Sequence, residues 1–131
     1  MQIKEFEPMM SAAMAAASET RSDHDIPTEI DSVRERVKSR IRTDDAFAYA
    51  LLSEAVEVLL ADDMVTAKSV LFDYIDATIG FEELALQSGL AAETLREMFS
   101  PAGDPRAADL FRVLGVLQQY QGIHLEVSAA A

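Results

Sequence analysis

"GFEELALQSGLAAETLREMFSP", residues 80–101, is the stretch on which the fold turns. Ala85 stands four residues before Gly89, and Leu95 six residues after it. A small residue suits a close crossing of two helices, a glycine suits the tight turn between them, and an apolar residue pins the second helix in place. Leu84, Leu90, Met98 and Phe99 supply the remaining apolar contacts. The spacing predicts two short helices, 81–88 and 92–99, joined by a turn. The same stretch carries four glutamates, Glu82, Glu83, Glu93 and Glu97, against the single arginine Arg96. Many helical hairpins share this spacing, and the charge of this one is strongly acidic.

The bulk composition agrees with a helical reading. The 131 residues suffice for one domain with a real core, and half of them are hydrophobic, with six Met, five Gly and few aromatics. That is the balance of an all-α protein rather than a sandwich or a barrel. There is no cysteine, so neither disulfides nor thiolate metal sites are available, and a cytoplasmic location is the simplest expectation. The stretch "MMSAAMAAAS", residues 9–18, follows Glu5 and Glu7 where a signal peptide would be positive, and it is too short and too weakly apolar to span a bilayer. Eleven basic and twenty-three acidic residues give a net charge of −12, which favours a basic partner over a polyphosphate one. A local basic face can still bind DNA.

Working outward along the chain, residues 1–27 lack a lasting period and read as a flexible tail. Residues 28–63 form a helical extension, and residues 64–131 the helix-turn-helix domain. From Thr28, a candidate cap, Ile30, Val33, Val37 and Ile41 recur at helical spacing. Arg34, Arg36, Lys38, Arg40 and Arg42 occupy the other faces. Two readings of this stripe stay open: phosphate contacts through Arg34, Lys38, Arg40 and Arg42, or the solvated outer face of an ordinary helix. A second helix, apolar at Phe47, Leu51, Leu52, Ala55, Val56, Leu59 and Leu60, starts near Thr43, Asp44 and Asp45 and ends at Asp62 and Asp63. A third uses Val65, Val70, Leu71, Tyr74, Ile75 and Ile79, with Gly80 placed for a left-handed exit. Asp104 as cap and Pro105 at the first helical position open a last helix, whose apolar face is Ala107, Leu110, Phe111, Val113, Leu114 and Leu117. After Gly122, "IHLEV" alternates as a short strand would, and a second copy of the chain is one source of a pairing partner.

Residues 64–127 resemble the lambda-repressor-like (Xre-type) DNA-binding domain, in particular the HigA-like addiction-module antidote proteins. The resemblance rests on "FEELALQSGLAAETLREMFSPAGDPRAADLFRVLGVL": a Leu-Ala pair, a Gly-Leu turn, a Leu in the second helix, and a Ser-Pro-x-Gly connector before the last helix. It extends toward Asp44 through "AFAYALLSEAV", while residues 1–43 are not covered. It implies an all-α, lambda-repressor-like helical bundle in which helix 81–88 crosses the phosphate backbone. Helix 92–99 would then enter the major groove, as a dimer with half-sites roughly 34 Å apart. The DNA-facing residues by this resemblance are Gln87, Ser88, Thr94, Arg96, Ser100 and Arg106, on a scaffold of Ala85, Gly89 and Leu95. The chain departs from the family pattern at Glu82-Glu83 (commonly Ser-Gln), Ala91-Ala92 (commonly Ser-Arg), Glu97 (commonly Lys) and Asp104 (commonly Asn). Each change removes a donor or adds negative charge toward phosphates. Arg96 either pairs with a guanine or is satisfied by Glu93 or Glu97 on its own helix.

His24 and His124 sit in no metal-ligand spacing, and the Asp44-Asp45 and Asp62-Asp63 pairs fall where helix capping explains them. No phosphate-cradling loop, nucleophile elbow or triad spacing occurs, so neither an enzyme nor a cofactor is expected. The expected function is a dimeric, DNA-binding regulator of the antitoxin type. The alternative is an acidic module that holds a small basic toxin through a helix-turn-helix that no longer binds DNA. A helical protein with a purely structural role is the third possibility.

Overall fold

The computed structural model describes residues 26–131, side chains included from Ile30 onward. The expected tail of residues 1–27, with His24, lies outside the described residues except for its last two, which belong to the first helix. The described chain is all-helical, with six helices and no strand: α1 Ile26–Thr43, α2 Asp45–Leu60, α3 Met64–Ala77, α4 Phe81–Ser88, α5 Ala92–Met98 and α6 Ala107–Gln121. Thr28 therefore stands inside α1 rather than at its start.

The aspartate pairs punctuate the chain as their positions predict. The Asp44 carboxylate accepts the Phe47 N–H at 3.1 Å at the head of α2, and the Asp63 carboxylate accepts the Thr66 N–H at 3.1 Å at the head of α3. Each such cap is worth about 1 kcal/mol. Between the two helices Asp62 adopts φ +62°, a left-handed conformation that aspartate tolerates better than most residues. At the end of α3 the Thr78 hydroxyl donates to the Tyr74 carbonyl at 2.7 Å, and the Gly80 N–H donates to the Ile75 carbonyl at 2.8 Å. Gly80 has φ +80°, so the chain can turn directly into α4.

The core centres on α2 and α3, whose mutual packing is the most extensive in the molecule. Leu51, Leu52, Ala55, Val70, Leu71, Tyr74 and Ile75 are all fully buried between them and their neighbours. α1 lies across both through Ile41 and the partly buried Val37. On the other side α4 acts as a hub that packs on α3, α5 and α6. Leu84, Leu95, Val113 and Leu117 extend the same cluster, so one continuous core runs from Ile41 to Leu117. Four residues expected on buried faces are exposed instead: Leu60 at 65 %, Val65 at 75 %, Phe111 at 69 %, and Ala107 at the start of α6.

Two expectations are corrected. Asp104 does not cap the last helix: α6 starts at Ala107, Arg106 holds the cap position without a side-chain hydrogen bond, and Pro105 is buried ahead of it. The cause is Lys68 on α3, itself only 7 % exposed, whose Nζ donates to the carbonyls of Pro101 at 3.0 Å and Gly103 at 2.6 Å. This pins the connector as a loop and delays the helix. The expected strand at residues 123–127 does not form either, because no ladder partner is at hand. The segment docks on α6 instead, with the Leu125 N–H donating to the Gln118 side-chain oxygen at 2.8 Å and Ile123 and Leu125 packed on the core.

Candidate nucleic-acid interface

α4 ends where Gly89 turns into the left-handed region at φ +77°, its N–H donating to the Ala85 carbonyl at 3.0 Å. Leu90 and Ala91 complete the turn. α5 then lays Leu95, fully buried, and Met98, 7 % exposed, against the core. Inward positions 95 and 98 leave Glu93, Thr94, Arg96 and Glu97 exposed on the outward side. Of the residues expected as scaffold, Gly89 stands at the turn, Leu95 is buried in the core and Ala85 is partly buried against it. Ala91 caps α5 without a side-chain hydrogen bond, as its missing hydroxyl requires.

The polar residues expected to face DNA divide into three groups. Thr94 and Arg106 are exposed, and both line an open cleft of about 430 Å³ with Glu97, Asp104 and Asp109. Arg96 and Gln87 are exposed but held by acids. The Arg96 guanidinium donates to the Glu82 carboxylate at 2.5 Å and lies 5.3 Å from the centre of the Phe81 ring, and the Gln87 amide donates to Glu83 at 2.9 Å. The partner of Arg96 is thus on α4, not on its own helix. Ser88 and Ser100 serve the backbone. The Ser88 hydroxyl is buried and accepts the Leu90 N–H at 3.2 Å inside the turn, and the Ser100 hydroxyl donates to the Glu97 carbonyl at 2.7 Å.

The basic stripe of α1 is turned substantially toward the protein's own acids. Arg34 donates to Asp73 at 2.8 Å, and Lys38 bridges Asp76 at 3.0 Å and Glu35 at 3.2 Å. Arg40 lies 3.6 Å from the Asp44 carboxylate and 4.3 Å from the centre of the Phe47 ring. Arg42 is exposed and has no ion-pair partner among the described residues. Burial works against the charge of Lys38, yet the hydrogen bonds and charges of Asp76 and Glu35 outweigh it and raise its pKa above 10.5. Burial likewise pushes the Asp73 carboxyl above its ordinary 3.8, with Arg34 pulling in the opposite direction. α1 packs on α2 and α3, whereas α5 packs on α4, so the stripe and the outward side of α5 are carried by different parts of the bundle.

Three residues that matter to this arrangement were not singled out in the sequence. Asp73 and Asp76 fix α1, and their signal is two acids three apart within an apolar helix, matched by Arg34 and Lys38 four apart. Lys68 clamps the connector that follows α5, and a lone lysine on an otherwise apolar helical face is its only mark. Among the described residues no cluster of three or more His, Asp or Glu is placed to hold a metal ion, and no helix is long and apolar enough to cross a membrane. Comparison with protein-family models, with curated proteins and with solved structures finds no match to this chain.

Proposed function

We propose that the chain is a DNA-binding transcriptional regulator of the antitoxin type, in which α4 and α5 form a helix-turn-helix and α5 reads DNA as part of a dimer. The observation that carries this reading is the division of α5: Leu95 and Met98 fix it to the core while Thr94 and Arg96 are exposed, Thr94 beside Arg106 of the connector. The contact that holds Arg96 is weak. Its side chain is 47 % exposed and that of Glu82 75 %, and an ion pair so solvated contributes less than about 1 kcal/mol. A bidentate guanine contact discriminates by about 1–3 kcal/mol, so DNA can displace Glu82. On this reading the Glu82 contact parks Arg96 rather than disabling it.

A second reading is favoured by the acids themselves. Glu82, Glu83, Glu93 and Glu97 are all exposed around Arg96, and three of the α1 cations face acids of their own chain. Such a surface suits a small basic protein, the toxin of an antitoxin pair, whose approach it would accelerate.

The test is a fluorescence-anisotropy titration against the DNA upstream of the gene and against a scrambled duplex, at two salt concentrations. The DNA reading expects a salt-sensitive preference for the natural sequence, lost in Arg96→Ala and strengthened in Glu82→Gln, which frees Arg96 and removes a charge. Absence of binding at both salts, with Glu82→Gln equally silent, refutes it and leaves the basic-partner reading.

A further inference from the structure

The end of the chain has the features of an edge strand without a neighbour. From Ile123 to Glu126 burial alternates, with Ile123 and Leu125 packed on the core and His124 and Glu126 exposed, which is the period of extended chain. The Leu125 N–H is directed at Gln118 of α6. Successive residues of an extended chain point their N–H and C=O groups to opposite edges, so those of His124 and Glu126 point away from α6. They have no hydrogen-bond partner among the described residues. The segment also borders a cleft of about 330 Å³ against α2, lined by Val56, Leu60, Leu125 and Val127 among others. Two of these apolar side chains are largely exposed, Leu60 at 65 % and Val127 at 71 %.

We propose that residues 123–127 are a dimerisation strand that pairs antiparallel with the same segment of a second copy, about a two-fold axis through Leu125. The register follows from the one hydrogen bond already present. Because the Leu125 N–H is committed to Gln118, Leu125 must face its symmetry mate as a non-hydrogen-bonded pair, leaving His124 and Glu126 to make the ladder. That register sets His124 opposite Glu126 of the other copy twice over, and Ile123 opposite Val127 twice over. The segment is thus complementary to itself in hydrogen-bonding and in apolar character, with an imidazole N–H able to donate to the facing carboxylate, as an isologous interface requires. A strand added at this edge would satisfy the free backbone groups and cover the exposed Val127 beside the α2 cleft. The inference deepens the dimer element of the function proposed above, and it does not depend on whether that dimer binds DNA.

Sedimentation equilibrium of the full chain without DNA tests it. The wild type is expected to dimerise. His124→Glu sets glutamates opposite each other at two places and should weaken the dimer about tenfold or more, while His124→Glu/Glu126→Lys should restore it. Both side chains are exposed, so the variants leave the core intact. A monomeric wild type overturns the proposal, and so does an unchanged affinity in His124→Glu or a failure of the double variant to recover. A second measurement uses the absence of native cysteine. Non-hydrogen-bonded antiparallel neighbours have Cα atoms about 4.5 Å apart, within disulfide reach. Mild oxidation should therefore cross-link Leu125→Cys far more readily than Glu126→Cys, and equal cross-linking refutes the register. Dimerisation that persists while anisotropy finds no DNA binding separates this proposal from the DNA reading.

Discussion

Replacing Arg34 by Met should destabilise the protein more than any change on the outward side of α5. The Asp73 side chain is 2 % exposed, and its carboxylate accepts from Arg34 at 2.8 Å. Removing one partner of a buried ion pair typically costs about 3–5 kcal/mol, because a desolvated charge is left behind. The low end applies here. Arg34 is itself 32 % exposed, so water can reach part of the vacated site, and the Lys38 charge also acts on Asp73. A loss of about 3 kcal/mol is a large share of the roughly 5–15 kcal/mol that holds a domain together. It would lower Tm by roughly 11–14 °C in a domain of this size. The loss should depend on pH in a definite sense. Burial raises the folded-state pKa of Asp73 above the ordinary 3.8, and Arg34 restrains that rise, so in Arg34→Met the rise is larger. A carboxyl with a raised folded pKa contributes fully below its unfolded pKa, where it is protonated in both states, and loses stability as pH climbs through the folded value. The gap between variant and wild type should therefore be widest at pH 7 and should close toward pH 4. Urea denaturation at the two pH values measures it, and Arg34→Met/Asp73→Leu should recover most of the loss. A deficit below about 1 kcal/mol at pH 7, or one of equal size at pH 4, would refute the reasoning.

Tyr74→Phe should be neutral or stabilising by about 1 kcal/mol, because the Tyr74 hydroxyl is fully buried and has no hydrogen-bond partner among the described residues. Burial, with lesser contributions from Tyr49 and Tyr120, also raises the Tyr74 pKa far above its ordinary 10.0, so the wild type should lose stability as pH rises above 10 and the Phe variant should lose less; a marked loss in Tyr74→Phe at pH 7 would contradict this. Gly103→Ala should cost at least about 1–3 kcal/mol in denaturant titration, since its Cβ would overlap the backbone carbonyls of Glu97 and Met98; wild-type stability would mean the connector shifts freely despite Lys68. Arg96→Ala should change stability by less than about 1 kcal/mol while abolishing any preference for the natural DNA sequence, and a large stability loss would make Arg96 a structural residue.

What the sequence made legible is local, and what it hid is distant. The heads of α2 and α3 could be read because Asp44 and Asp63 act on N–H groups only three residues away. The turn between α4 and α5 could be read because Gly89 answers a backbone requirement at its own position. The outward side of α5 followed from helical period alone. By contrast, Arg34 and Lys38 meet acids 39 and 38 residues away, and no local pattern distinguishes a stripe aimed at phosphates from one aimed at a neighbouring helix. The start of α6 was misplaced for the same reason: Asp104 and Pro105 are good local signals, but Lys68, more than thirty residues earlier, holds the connector out of the helix. Residues 123–127 have the period of a strand, and what they lack is the partner that would make them one. Arg96 lies between these cases, since its exposure was predictable while its contact with Glu82 crosses from one helix to the next. The acids at 82 and 83 therefore carry a meaning that composition could not assign. In the free protein they hold two of the side chains, Arg96 and Gln87, that the helix-turn-helix reading would send to DNA, so binding there must exchange one set of partners for another. That exchange predicts a salt dependence weaker than an unopposed Arg96 would give, because the ion pair to Glu82 broken on the protein offsets the contact made to DNA.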